Sequence, residues 1–269
     1  MGKLVVAGVD GSSSCRAAVE TAAHEAARRG AGLRVVHAFG PLTRPMYSPP
    51  DTAPVEELMR EAADHAHAVA PEVEITHEVV HGGAVEVLTA ESRTADLLVV
   101  GARGVGGFVG MLLGSTAVSL AAHALCPVLV IRGEPHEGRP VVVAVDGSPQ
   151  GERALEFAVA EAELRGAELL AVHVWQPDYA PAGTGVEAAE RLLALALAGF
   201  AERYPDVVVR QQVLSGEPRE MLIESSRNAQ LVVVGARGRG GFAGLLLGSV
   251  SQAVLHHAHC PVTVVRGRD

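Results

Sequence analysis

Two kinds of hydrophobic pattern alternate along the chain. Lys3–Val9 is a short Val-rich run of the kind that forms a strand. After it, Ala17, Ala18, Thr21, Ala22 and Glu25 recur at helical spacing. That spacing predicts a helix capped by Ser13 or Ser14 and running to about Arg29, where Gly30 and Gly32 stop it. The same reading gives strands over Leu33–Ala38, Val73–Val80, Leu97–Val100 and Val128–Arg132. Helices are predicted over Val55–Val69 and Ala84–Thr94 and from Ser115 onward, and a Pro-rich segment, Pro41–Pro54, precedes the first of these. Leu97-Leu98-Val99-Val100 lacks the polar alternation of a half-exposed strand and suits one buried on both faces. Strands joined through helices must run parallel, and right-handed crossovers place helices on both faces.

The whole pattern then repeats from Pro140 to Arg266. LLVVGARGVGGFVGMLLGST (97–116) and LVVVGARGRGGFAGLLLGSV (231–250) share 15 of 20 residues at an offset of 134. VVAGVDGS, starting at Val5, and VVVAVDGS, starting at Val141, share six of eight at an offset of 136. His37 pairs with His173, and Cys126-Pro127-Val128 with Cys260-Pro261-Val262. The expected architecture is α/β: two tandem, doubly wound, five-stranded parallel sheets of Rossmann-like type, in domains 1–133 and 140–269 with a polar joint between them. Such sheets bind ligands beyond the carboxyl ends of their strands, where strand order reverses. Candidate chemistry therefore belongs just after the strands.

Composition narrows that chemistry. Lys+Arg is 22 against 31 Asp+Glu, a net charge of −9, which disfavours nucleic acid and anionic membrane surfaces as partners. The only lysine is Lys3, so a Walker A loop, a Schiff-base lysine and the strand lysine of protein kinases all lack a candidate. Three cysteines without a Cys-x-x-Cys pair, no signal-peptide pattern and no uncharged apolar stretch of membrane-spanning length point to a soluble, cytoplasmic protein.

The strongest motif is Gly101-x-x-Gly104, nine residues, then Gly114-Ser115, written again as Gly235-x-x-Gly238, nine residues, Gly248-Ser249. Further glycines stand at Gly106, Gly107, Gly240 and Gly241. A glycine-rich loop brings main-chain N–H groups close to an anion, and a helix N-terminus adds unsatisfied N–H groups and partial positive charge. A polyphosphate is held this way without lysine. A purely structural turn is the alternative reading.

With these motifs the whole chain resembles a tandem member of the universal stress protein family, in its ATP-binding branch, with the adenine nucleotide alpha hydrolase-like fold. The resemblance implies ATP with Mg²⁺ as cofactor, one molecule per domain, in a regulatory protein with a homodimeric assembly and a regulatory partner that the sequence does not identify. It implies a nucleotide-binding set of Gly8, Asp10, Ala38, Gly101, Arg103, Gly104, Gly106, Gly107, Gly114, Ser115 and Thr116. The second set is Ala144, Asp146, Val174, Gly235, Arg237, Gly238, Arg239, Gly240, Gly241, Gly248, Ser249 and Val250. Asp10 and Asp146 would meet the ribose or adenine side, the main chain at Ala38 and Val174 the adenine edge, and the loops and serines the phosphates. The Pro-rich segment and its counterpart, Pro177–Gly185, would cover the adenine ends.

Gly8 faces Ala144 across the repeat, and Arg239 has only Val105 as counterpart, so the sites are expected to differ in affinity. Asp10 and Asp146 also suit helix caps in Asp-Gly-Ser turns, and both roles can coexist. The competing class is a slow ATPase or phosphotransferase, for which the same aspartates are the only candidate bases. No catalytic or metal-ligating set is assigned; His256, His257 and His259 lack a companion carboxylate set. Cys126 and Cys260 read as buried thiols, and Cys15, near a helix N-terminus, sits where a thiol pKa can fall.

Overall fold

The computed structural model describes residues 3–40, 53–104, 113–133, 136–177, 185–239 and 246–266. The chain divides into two compact units, Met1–Ile131 and Arg132–Asp269. In the first, the elements are β1 (Leu4–Gly8), α1 (Cys15–Arg29), β2 (Gly32–Phe39), α2 (Ala53–Val69), β3 (Ile75–His81), α3 (Ala84–Glu91), β4 (Leu97–Gly101), α4 (Ser115–His123) and β5 (Val128–Ile131). The second has β6 (Val141–Ala144), α5 (Pro149–Arg165), β7 (Leu169–Trp175), α6 (Val186–Ala196), α7 (Phe200–Arg203), β8 (Val209–Ser215), α8 (Pro218–Ser225), β9 (Leu231–Gly235), α9 (Ser249–His257) and β10 (Val262–Val265).

Strand order within the first unit is β3-β2-β1-β4-β5, and within the second β8-β7-β6-β9-β10. The recorded pairings within each unit are parallel. The central strands are apolar because both their faces are covered: Val5, Val6, Leu98, Val99, Val142, Val143, Val232 and Val233 are fully buried. In the first unit α1 packs on α2 and α3 packs on α4. The chain leaves β1 toward β2 and leaves β4 toward β5, in opposite directions along the sheet. Gly8 lies beside Val100 in the register, so a crevice opens beyond these two neighbouring strand ends.

Element boundaries shift in ways the local chemistry explains. The α3 helix stops at Glu91, short of Thr94, because the Ser92 hydroxyl donates to Thr89 O and the chain turns. The buried face of α1 runs through Ala18, Val19, Ala22, Ala23 and Ala26, while Ala17 is exposed. That face also buries the Glu25 carboxylate, which pairs with Arg28 and Arg29; Glu161 on α5 pairs with Arg165 in the same register. At the repeat offset of 134, short α7 matches the last turn of α2, 66–69, which the first unit builds as one continuous helix. The Gly199 backbone, at φ 81°, separates it from α6, and buried Phe200 anchors it beneath the Arg203 guanidinium.

Candidate functional site

Beyond the central strand ends, three segments of the first unit converge: the Asp10–Ser14 turn after β1, the Ala102–Gly104 turn after β4, and the start of α4. Ser12 N donates to Asp10 Oδ1 at 3.0 Å, the Asp-Gly-Ser turn the sequence allowed. The other carboxylate oxygen, Oδ2, lies 2.6 Å from where a Cβ on Gly104 would stand, so a larger residue at 104 would displace the aspartate. Gly114 N donates to Ala102 O at 2.7 Å and fastens the start of α4 to the same turn. The helix begins at Ser115, Gly114 precedes it in extended conformation, and no side chain caps it. A nine-residue helix thus presents its uncapped N-terminus beside Asp10 and Gly104.

The second unit builds the same junction with different bonds. Asp146 Oδ1 accepts Ser148 N (2.9 Å) and Ser148 Oγ (2.6 Å), and Oδ2 accepts Arg239 N (3.0 Å). A Cβ on Gly238 would collide with Asp146 Oδ2. Gly248 N donates to Ala236 O at 2.7 Å, and α9 starts at Ser249, again with no side-chain cap. The Arg239 guanidinium reaches Gly147 O at 3.4 Å.

Gly101, Arg103, Gly104 and Gly114 gather at the junction with Asp10, and Gly235, Arg237, Gly238, Arg239 and Gly248 at the junction with Asp146, while Ser115, Thr116, Ser249 and Val250 open the helices that follow. Gly106, Gly107, Gly240 and Gly241 lie outside the described residues, as does most of each expected cover segment. Ala38 and Val174 lie one residue past His37 and His173 in β2 and β7, both half-buried. Gly8 has a neighbour of its own: a Cβ there would stand 2.7 Å from Leu88 Cδ1 and 3.1 Å from Val100 Cγ1. Gly101 likewise makes room for Ser14, whose Cβ would be 2.9 Å from an added methyl, and Gly235 for the backbone of Gln150 at 3.0 Å.

One expectation needs correction. Neither Ser13 nor Ser14 caps α1 with its side chain: Ser14 holds the cap position, but its Oγ donates to Arg103 O at 2.5 Å, and Ser12 Oγ joins it there at 3.0 Å. Cys15 heads α1, and burial pushes its thiol above the ordinary range, against main-chain hydrogen bonds at Gly11 and Asp10 that pull it down. Cys260, fully buried, is pushed up to about 12 by the same cause.

The positioning role of several residues escaped the sequence reading. His37 Nδ1–H donates to Val9 O at 2.9 Å, and His173 Nδ1–H to Val145 O at 2.6 Å, tying β2 and β7 to the peptide before each aspartate. Their recurrence at the repeat offset was the available signal. Ser12, Ser14 and Gln150, whose Oε1 accepts Arg237 N at 2.7 Å, gave less. At Ser14 and Gln150 the two copies differ, so matching the repeats passes over them.

The Universal stress protein family profile matches residues 1–132 and 138–266. Universal stress protein MT2052 of Mycobacterium tuberculosis (strain CDC 1551 / Oshkosh) is 41% identical, over 97% of this chain and 94% of that protein. The crystal structure of a universal stress protein from Archaeoglobus fulgidus DSM 4304 superposes with a TM-score of 0.75 at 24% identity, over 99% of this chain and 97% of that one. A shorter universal stress protein, solved in complex with cAMP, covers 49% of this chain and 97% of its own, at 31% identity and a TM-score of 0.41. Among the described residues no helix is long and apolar enough to cross a membrane. With its family profile matched twice and close relatives spanning nearly its whole length, the chain belongs to the universal stress protein family.

Proposed function

We propose that this protein binds one adenine nucleotide per unit, ATP entering with Mg²⁺, and acts as a nucleotide-responsive regulatory protein. The observation that supports this is the junction repeated in both units: strand-end aspartate, glycine turn and uncapped helix N-terminus brought together. Main-chain N–H groups and the helix end would hold the phosphates, with the Ser115 and Ser249 hydroxyls as further donors. Arg103, Arg237 and Arg239 supply the positive charge that lysine supplies elsewhere. Asp10 and Asp146 would receive sugar hydroxyls, since a carboxylate accepts and does not donate. The residues gathered here fit a triphosphate: the donors are amides, hydroxyls and guanidinium groups. A nucleotide that orders the glycine loop would alter the surface this end of the unit offers to a regulatory partner, in a soluble, homodimeric protein.

Heat extraction of the purified protein, followed by nucleotide chromatography, tests the reading. About two adenine nucleotides per chain are expected at full occupancy. For material purified empty, ATP at a hundredfold excess over Kd stabilises a two-state unit by about 2.7 kcal/mol, a melting shift of several degrees. No nucleotide in the extract and no shift with saturating ATP would refute it.

A further inference from the structure

We infer that Ser12 and Ser14 are the positioning residues of the first unit's phosphate cradle, and that they make its grip on a phosphate tail tighter than the second unit's. The inference deepens the nucleotide reading above and rests on it.

The Arg103 carbonyl accepts two hydroxyl hydrogen bonds, from Ser14 Oγ at 2.5 Å and Ser12 Oγ at 3.0 Å; the two hydroxyls lie 3.2 Å apart. A carbonyl oxygen has two lone pairs, so both are engaged. The peptide between Arg103 and Gly104 is trans and planar, which sets the Gly104 N–H antiparallel to that carbonyl. Holding the carbonyl against the start of α1 turns the Gly104 N–H away from it. Two further contacts fix the arrangement: Ser14 uses the space that Gly101 leaves without a Cβ, and Asp10 Oδ2 fills the corresponding space at Gly104. The donor is therefore oriented before any ligand arrives, and the ordering cost of aiming it falls outside the binding step.

The second unit spends the corresponding side chains elsewhere. Ser148, the counterpart of Ser12, donates its hydroxyl to Asp146 Oδ1 and accepts Gly151 N at 3.0 Å as the cap of α5. Gln150, the counterpart of Ser14, accepts the Arg237 N–H and so acts on the peptide one residue earlier. The asymmetry thus has a specific source in positions 12 and 14, apart from the Arg239 and Val105 difference.

Photolabelling of the full chain with 8-azido-ATP, followed by peptide mapping, reads the two halves separately. The unaltered first half is expected to half-saturate at about fivefold lower concentration than the second. Ser14→Ala should move the first curve about fivefold to higher concentration and leave the second in place, one net hydrogen bond being worth roughly that factor. Ser12→Ala with Ser14→Ala should move it about tenfold or more, whereas Ser13→Ala moves neither and Ser14→Thr keeps the original curve. Adenosine, which has no phosphate, should compete equally well for the first half of the Ser14→Ala variant and of the parent. A first curve unmoved by Ser14→Ala, or adenosine affinity lost in parallel, overturns the inference while saturable labelling leaves the nucleotide reading standing. No saturable labelling of either half in the unaltered chain overturns both.

Discussion

Asp10-Gly11-Ser12 and Asp146-Gly147-Ser148 are the same tripeptide at the same place in two units, yet the serine hydroxyl does different work in each. In the second unit it caps α5, with Pro149 at the first helical position, where a fixed φ suits the helix and no N–H is missed. In the first unit the next residue is Ser13, and the Ser12 hydroxyl crosses to the Arg103 carbonyl. The helices record the choice: Cys15 aligns with Gly151, and α5 starts at Pro149, 151 − 149 = 2 residues sooner. One hydroxyl serves either the helix start or the loop opposite, and the residue that follows it helps decide which. Duplicated sites therefore diverge without any change in their recognisable motif.

The largest expected effects concern a feature the two units share. Glu25 and Glu161 are buried carboxylates facing Arg29 and Arg165, whose side chains are 8% and 10% exposed. Replacing either glutamate with alanine takes the carboxylate partner from a buried cation, at a cost of about 3–5 kcal/mol. Glu25→Ala should be the worse, since Glu25 also holds Arg28 while the second unit has Leu164 there. Urea midpoints of the two variants check the order; equal midpoints would remove this difference between the units.

Cap loss comes next. Ser148→Ala should destabilise by about 1 kcal/mol, the ordinary value of an N-terminal cap. Ser12→Ala, which removes no cap, should cost less in the nucleotide-free protein. Melting temperatures of the two variants give the comparison, and a larger drop for Ser12→Ala would reverse the assignment of roles.

The smallest effect near neutrality is at the thiols. Cys260 and Cys15 should resist iodoacetamide at pH 8 until urea exposes them. An unfolded cysteine ionises near 8.5 while folded Cys260 holds its proton to about 12. Between those values the unfolded state binds fewer protons, so stability falls as pH rises, by at most about 1.4 kcal/mol per unit from this group. Cys260→Ala should flatten that slope; rapid native alkylation would show that the thiol is not enclosed.

Much of the fold was legible because its strands are buried on both faces: runs such as Leu97–Val100 and Leu231–Val234 leave little doubt of type. Repetition exposed the glycine turns, the aspartates and the two histidines. What stayed hidden was side-chain destination. Nothing in Ser-Ser-Ser-Cys says that two hydroxyls reach a carbonyl 91 and 89 residues away. A helical pattern gave Glu25 a place on the inner face without revealing that Arg29, one turn on, compensates its charge. Cys15 illustrates a different limit: a helix N-terminus can lower a thiol pKa, but burial, invisible in sequence, raises this one.

Under the proposed function, each unit holds its own nucleotide at the meeting of aspartate, glycine turn and helix end. Calorimetric titration of ATP into the full chain, into Gly104→Val and Gly238→Val, and into the double variant tests it most directly, because a Cβ at either glycine displaces the facing carboxylate. The expected stoichiometry is about two per chain, then about one for each single variant and none for the double, at unchanged circular dichroism. Undiminished binding in the double variant, or none in the unaltered chain, would contradict it.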